Sequence, residues 1–193
     1  MARFQSEEME RAAIRVAAGM MAVSARTAPK AAGIDRIQTL ILDGDDLQVL
    51  ASAMEEKFKS KAVPLQGFPS NAEQVRQSSA VILIGVTGEP KRMSPPVNCG
   101  ACGHKTCEEF VKSGKREGED FRGPLCIWQS MDLGVALGSA VKMASELNID
   151  NRIMYTVGAA ARRLKLMDAD LIIGISLVSM GKNPYTFYQP PGD

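Results

Sequence analysis

A chain of 193 residues, 45% hydrophobic and 23% charged, reads as one ordinary domain with room for a proper core. Its 23 Lys and Arg against 22 Asp and Glu leave a net charge of +1, which excludes the strong field of a nucleic-acid or membrane-surface binder, and 5% aromatics argue against base stacking. No run reaches the ~18 apolar residues that a membrane span needs.

Residues from Ser6 to about Ala25 carry Met9, Ala13, Val16, Ala17 and Met20 at steps of three and four, a helical pattern that Ser6 can cap. Glu7, Glu8 and Glu10 stand where a signal peptide has its basic region, so this is read as a mature amphipathic helix in a cytoplasmic protein. Pro29 ends the helix. Ile37–Asp43 alternates and reads as a strand. A helix follows with Leu47, Leu50, Ala51 and Met54 on one face, then a short one to about Gln77, for which Ser70 and Glu73 have capping-box spacing. The continuous apolar run Ala80–Gly88 suits a strand buried on both faces.

A proline-rich loop then leads into "VNCGACGHKTC", Val97–Cys107, and Thr106 to about Gly114 fits a short helix. "KREGEDFRGP" reads as a loop. A long helix is expected over "MDLGVALGSAVKMASELNID", a strand over "RIMYTVG", a short helix over "AAARRLKL" and a long strand over "DLIIGISLVSM". The proline- and aromatic-bearing tail suits packing on another subunit. The sum is about four strands and five helices in one layered domain, 1–193, with the cysteine segment, 95–127, inserted before the long helix.

All four cysteines lie in that segment, spaced Cys99-x2-Cys102-x4-Cys107-x18-Cys126. The cytoplasm keeps thiols reduced, so clustered cysteines there point to metal before disulfides. Four thiolates suit tetrahedral zinc or a cubane iron–sulfur cluster. Structural zinc usually takes two short-spaced pairs. One short pair, a wider step and a distant fourth ligand suit the larger shell of a [4Fe–4S] cluster better, and Gly100, Ala101 and Gly103 let backbone N–H groups approach its sulfides. A non-catalytic module with a structural four-cysteine zinc site is the alternative. His104 is the sole histidine and reads as a bystander on an exposed loop, since four cysteines complete a ligand set.

"CGACGHKTCEEF" with the later "GPLC" resembles the four-cysteine [4Fe–4S] domain of corrinoid iron–sulfur proteins and of the Rnf complex B subunit, whose motif is C-G-x-C-G-x-x-x-C and a later cysteine. The resemblance spans about thirty residues and implies that Cys99, Cys102, Cys107 and Cys126 are the ligands. The whole chain resembles ferredoxin-domain-containing proteins of anaerobic bacteria and archaea.

A second resemblance covers most of the chain. "AIRVAAGMMAVSARTAPKAAGIDRIQTLIL", "DLGVALGSAVKMASELNID" and "ADLIIGISLVSMGKNP" follow the element order of FMN-dependent nitroreductases. It implies an α+β, three-layer α/β/α sandwich, an intertwined homodimer, and FMN at the interface, with Tyr185–Tyr188 as an exchanged arm. The family's opening arginine pair is replaced by Arg11 and Arg15, four apart on one helical face. The cations available to a flavin phosphate are Arg11, Arg15, Lys30 and Lys182. The expected function is a redox protein, as an oxidoreductase or an electron-transfer protein, acting with a redox partner protein or a small-molecule substrate. The sequence shows neither a G-x-S-x-G nor a P-loop, and it names no catalytic acid or base.

Overall fold

A computed structural model of the chain describes residues 3–185. In chain order the elements are α1 (Ser6–Thr27), β1 (Ile37–Leu42), α2 (Asp45–Ser60), α3 (Gly67–Arg76), β2 (Ala80–Val86), α4 (Cys107–Lys112), β3 (Arg116–Glu117), β4 (Arg122–Gly123), α5 (Ile127–Glu146), β5 (Asp150–Met154), α6 (Tyr155–Arg163) and β6 (Leu171–Val178). The main sheet runs β1-β2-β6-β5 and is antiparallel at each pairing. β3 and β4 form a separate two-stranded ribbon.

β2 explains the layering. All seven of its residues are buried, as its unbroken apolar run requires. Its side chains alternate between two cores. Val81 and Leu83 join Leu50, Met54, Phe68 and Val75 from α2 and α3, with Val157 from α6. Ile82, Ile84 and Val86 join Ile14 and Met21 from α1 and Leu133 and Leu137 from α5. The period-2 alternation of a strand thus divides one sequence run between two helical layers. The fold is the expected α+β, three-layer α/β/α sandwich.

α6 sits unusually close to the sheet, and one glycine makes that possible. A Cβ on Gly158 would lie 1.7 Å from the Ile172 carbonyl oxygen of β6. The rest of α6 presents Ala159, Ala160 and Ala161, all fully buried, so only small groups separate helix from strand.

Several local expectations need correction. Ser6 is the first residue of α1, and its N-cap position is Gln5, with no side-chain cap. Ser70 does not start α3. The helix begins at Gly67, Pro69 falls within its first turn, where a missing N–H costs nothing, and the Ser70 hydroxyl bonds back to the Gly67 carbonyl. The long helix starts at Ile127, four residues before Met131, and stops at Glu146, where Asn148 turns left-handed (φ 55°) and Asp150 opens β5. The strand expected over "RIMYTVG" ends at Met154. Thr156, Val157 and Gly158 are helical because they face β6 from the layer above it. "KREGEDFRGP" contains the β3–β4 ribbon. The boundary at Pro29 holds. Ala28 is already extended (φ −54°, ψ 142°), as a residue before proline prefers. Of the proposed Tyr185–Tyr188 arm only Tyr185 lies within the described residues; its phenol is buried against the Ser78 hydroxyl at 3.1 Å. Among the described residues no helix is long and apolar enough to cross a membrane.

Candidate metal centre

Between β2 and α5 the chain leaves the sheet and returns to it, and the four cysteines stand around one cavity on that excursion. The turn is built from left-handed residues at Asn98 (φ 48°), Gly100 (φ 74°) and Gly103 (φ 86°). Asn tolerates this conformation and Gly adopts it freely. The Gly103 N–H closes the tight turn onto the Gly100 carbonyl at 3.0 Å. The Asn98 N–H donates to Cys107 Sγ at 3.4 Å, and the Cys107 N–H donates back to Asn98 Oδ1 at 2.8 Å. Cys107 opens α4, whose N-cap Thr106 accepts from the Glu109 N–H at 3.1 Å. Cys126 is the N-cap residue of α5. Its N–H donates to the Gly88 carbonyl at 2.9 Å, so the fourth sulfur is tied to the exit of β2. Cys99 is exposed, Cys102 and Cys107 are half-buried and Cys126 is buried.

Three ion-pair knots fasten this excursion to the layers beneath. At the first, Asp170 just before β6 accepts from the Gly88 N–H at 2.7 Å, pairs with Lys115 at 3.0 Å, and accepts from Arg122 Nε. Burial alone would push this carboxyl up; the Gly88 N–H and the two cations outweigh it and hold it below the usual carboxylate range. At the second, the buried Lys91 ammonium is bonded to Asp132 of α5, to the Ile34 carbonyl at 2.6 Å and to Gln129 Oε1 at 3.2 Å. Asp132 also accepts from the Ala31 N–H at 2.9 Å. At the third, Asp120 at the tip of the β3–β4 ribbon pairs with Lys57 at 2.8 Å and Lys61 at 2.7 Å and accepts from the Tyr155 hydroxyl. Burial would raise the Asp120 carboxyl, but these three donors hold it at about 2. Burial and the Asp120 carboxylate push the Tyr155 phenol up, so it stays protonated and donates.

His104, read as a bystander on an exposed loop, stands on the cavity wall. It is half-buried, lines the cavity and meets the Phe110 ring edge-on, with centroids 5.7 Å apart. Sequence reasoning missed Asn98, Lys91, Asp170 and Trp128. Asn98 carried a local signal, an αL-tolerant residue directly before the first cysteine. Trp128 carried one too, two residues after the last. Lys91 and Asp170 carried none, because their partners are distant in sequence.

The four candidate flavin cations are not brought together. Arg11 and Arg15 line one cleft beside the start of α2. Arg11 is paired with Glu7 at 2.7 Å and Arg15 with Asp43 at 2.5 Å. Lys30 lies beyond the other end of the 22-residue α1. Its ammonium closes the helix C-terminus, donating to the Ala25 carbonyl at 2.9 Å, the Ala28 carbonyl at 2.8 Å and the Arg26 carbonyl. Burial pushes it below the ordinary lysine value, partly offset by Asp35. Lys182 follows β6 and is itself engaged.

Residues 122–187 match the family model described as "Uncharacterized protein containing a ferredoxin domain". That stretch holds Cys126 and the scaffold from α5 to β6, and it leaves the three-cysteine loop outside. An uncharacterised protein of Archaeoglobus fulgidus is 45% identical over 172 residues, 89% of this chain and 90% of its own. The chain belongs to this ferredoxin-domain family. Its fold is that of the nitroreductases. Nitroreductase A from Vibrio parahaemolyticus superposes with a TM-score of 0.53 at 9% identity over 88% of this chain and 60% of its own. A nitroreductase family protein from Clostridium novyi gives 0.54 at 15% over 88% and 75%. A putative nitroreductase in complex with FMN from Desulfovibrio desulfuricans gives 0.53 at 11% over 91% and 79%. The ferredoxin-domain chain thus spans less than two thirds of the Vibrio enzyme's length, and at these identities the likeness concerns fold alone.

Proposed function

We propose that this chain is a redox protein that holds a [4Fe–4S] cluster on Cys99, Cys102, Cys107 and Cys126, within an insertion at residues 95–127 of a single domain, 1–193. The observation that carries this reading is the convergence of the chain's four cysteines on one cavity, although 18 residues separate the last from the third. An all-thiolate donor set selects zinc or iron–sulfur over hard cations. Zinc would need its sulfurs about 2.3 Å from a single ion. One short pair, a wider step and a distant fourth cysteine suit the wider shell of a cluster better than a single tetrahedral ion. When bound, such a cluster exchanges single electrons.

The chain's own groups fit that charge. The Asn98 N–H on Cys107 Sγ stabilises a thiolate ligand. The positive end of the α5 dipole lies at Cys126. Phe110 and Trp128 wall the cavity, while exposed Cys99 leaves one side open to a redox partner protein or a small-molecule substrate.

The nitroreductase fold supports a second cofactor, FMN, which would make the chain an oxidoreductase rather than a one-electron carrier. Arg11, Arg15 and the N-terminus of α2 share a cleft suited to its phosphate. Glu7 and Asp43 compete for those two arginines, and Lys30 is committed to carbonyls. The fold also supports a homodimer, and a cluster protein of this kind suits the cytoplasm of an anaerobe.

Anaerobic purification with iron, acid-labile sulfide, zinc and flavin analysis tests these readings together. Brown protein with about four irons and four sulfides per chain is expected. Colourless protein with one zinc would replace the cluster by a structural four-cysteine zinc site. A yellow flavin retained after desalting would support the oxidoreductase; none would leave an electron carrier. Cys102→Ser should abolish the visible absorption, and a variant that keeps full colour would refute the ligand set.

A further inference from the structure

Trp128 is the chain's one tryptophan. It lies in the first turn of α5 and lines the same cavity as the four cysteines. Its indole Nε1 is buried with no hydrogen-bond partner among the described residues. Two other buried side-chain atoms share that condition, Gln74 Oε1 and Asp120 Oδ1, but both are acceptors, and Lys57 stands 2.8 Å from the latter. Trp128 is therefore the one buried side-chain donor among the described residues left without an acceptor. Such a group carries an unmet desolvation cost unless something meets it.

Sulfur is the acceptor that the four cysteines bring to this cavity. The side-chain oxygens on its wall are already engaged, Asn98 Oδ1 by the Cys107 N–H and Thr106 Oγ1 by the Glu109 N–H. Pro90, Val97, Phe110 and Ile127 supply apolar surface. We propose that the Trp128 indole N–H donates a hydrogen bond to a sulfur of the cluster held by the four cysteines and thereby raises its reduction potential. The proposal rests on the cluster reading above. Trp128 is a positioning residue in this scheme. It makes no bond to iron, and it stabilises the more negative, reduced form by placing a donor against the sulfur on which that charge collects.

Two measurements test it. Trp128→Phe keeps the apolar bulk and removes the donor. With iron and sulfide content equal to the unsubstituted protein, its cluster should be about tenfold harder to reduce, ~59 mV for one electron. The second measurement uses the unsubstituted protein. As the sole tryptophan, Trp128 gives a single indole N–H mode in ultraviolet resonance Raman, and this should move to its hydrogen-bonded position when iron and sulfide are loaded anaerobically. A loaded Trp128→Phe protein with unchanged potential, or an indole mode that stays free on loading, would overturn the role of Trp128 while leaving the cluster intact. Protein that binds zinc alone, or no iron and sulfide, would overturn both. If Trp128→Phe fails to fold, the Raman measurement decides.

Discussion

Asp170 shows how much a single carboxylate carries here. It is 1% exposed, and its two oxygens engage the Gly88 N–H, Lys115 and Arg122, which binds the exit of β2, the ribbon and the entry to β6. Asp170→Asn would leave two cations facing a neutral amide, so a loss of about 3–5 kcal/mol is expected in urea unfolding at neutral pH. Asp120 adds a pH dependence. Its carboxyl is held at about 2, below its ordinary value, so its stabilisation is complete above about pH 4 and fades as pH falls towards 2. The shift corresponds to roughly 2 kcal/mol. Unfolding titrations between pH 7 and 2 should show that loss in the natural chain and a flatter profile in Asp120→Asn, which is less stable at neutral pH throughout. A mutant profile as steep as the natural one would show that other groups carry the acid sensitivity. The cysteines were legible in the sequence because their chemistry is written locally. Asp120 and Asp170 were not, because Lys61 lies 59 residues from the one and Arg122 lies 48 residues from the other.

At the scale of elements, hydrophobic period found what packing then placed. The unbroken run of β2 was legible because both faces of a central strand are buried, and its alternation between the two cores is the physical reason. The β5–α6 boundary was not legible. "RIMYTVG" has the β-branched and aromatic content of a strand, yet Gly158 and its neighbours are helical because they pack across β6 at near-contact distance. Gly158→Ala tests that contact. The added methyl would meet the Ile172 carbonyl oxygen at 1.7 Å, and backbone cannot yield as a flexible side chain can. A loss of about 3 kcal/mol or more is expected by thermal or urea unfolding. A neutral result would mean that α6 can rise from the sheet at little cost. The start of α5 at Ile127 also matters at this scale, since it turns Cys126 from a loop residue into a helix cap.

At the scale of the whole molecule, α1 and α5 pack side by side and keep apolar groups facing outward. Val16 and Val23 are 65% and 62% exposed, and Met131 and Val135 on α5 are also exposed. Such a face on a charged, near-neutral chain fits the proposed homodimer. Sedimentation of the natural chain should give a dimer, and Val16→Asp with Val23→Asp should shift it to monomer; a natural chain that sediments as a monomer would remove the dimer. Cys126 has one more consequence. It caps a 20-residue helix that forms one wall of a core, so a ligand bond at that sulfur would reach directly into the packing. Occupancy of the centre and resistance to heat would then rise and fall together. Air damage to the inorganic group would be felt as a lower melting temperature before any assay of electron flow recorded it.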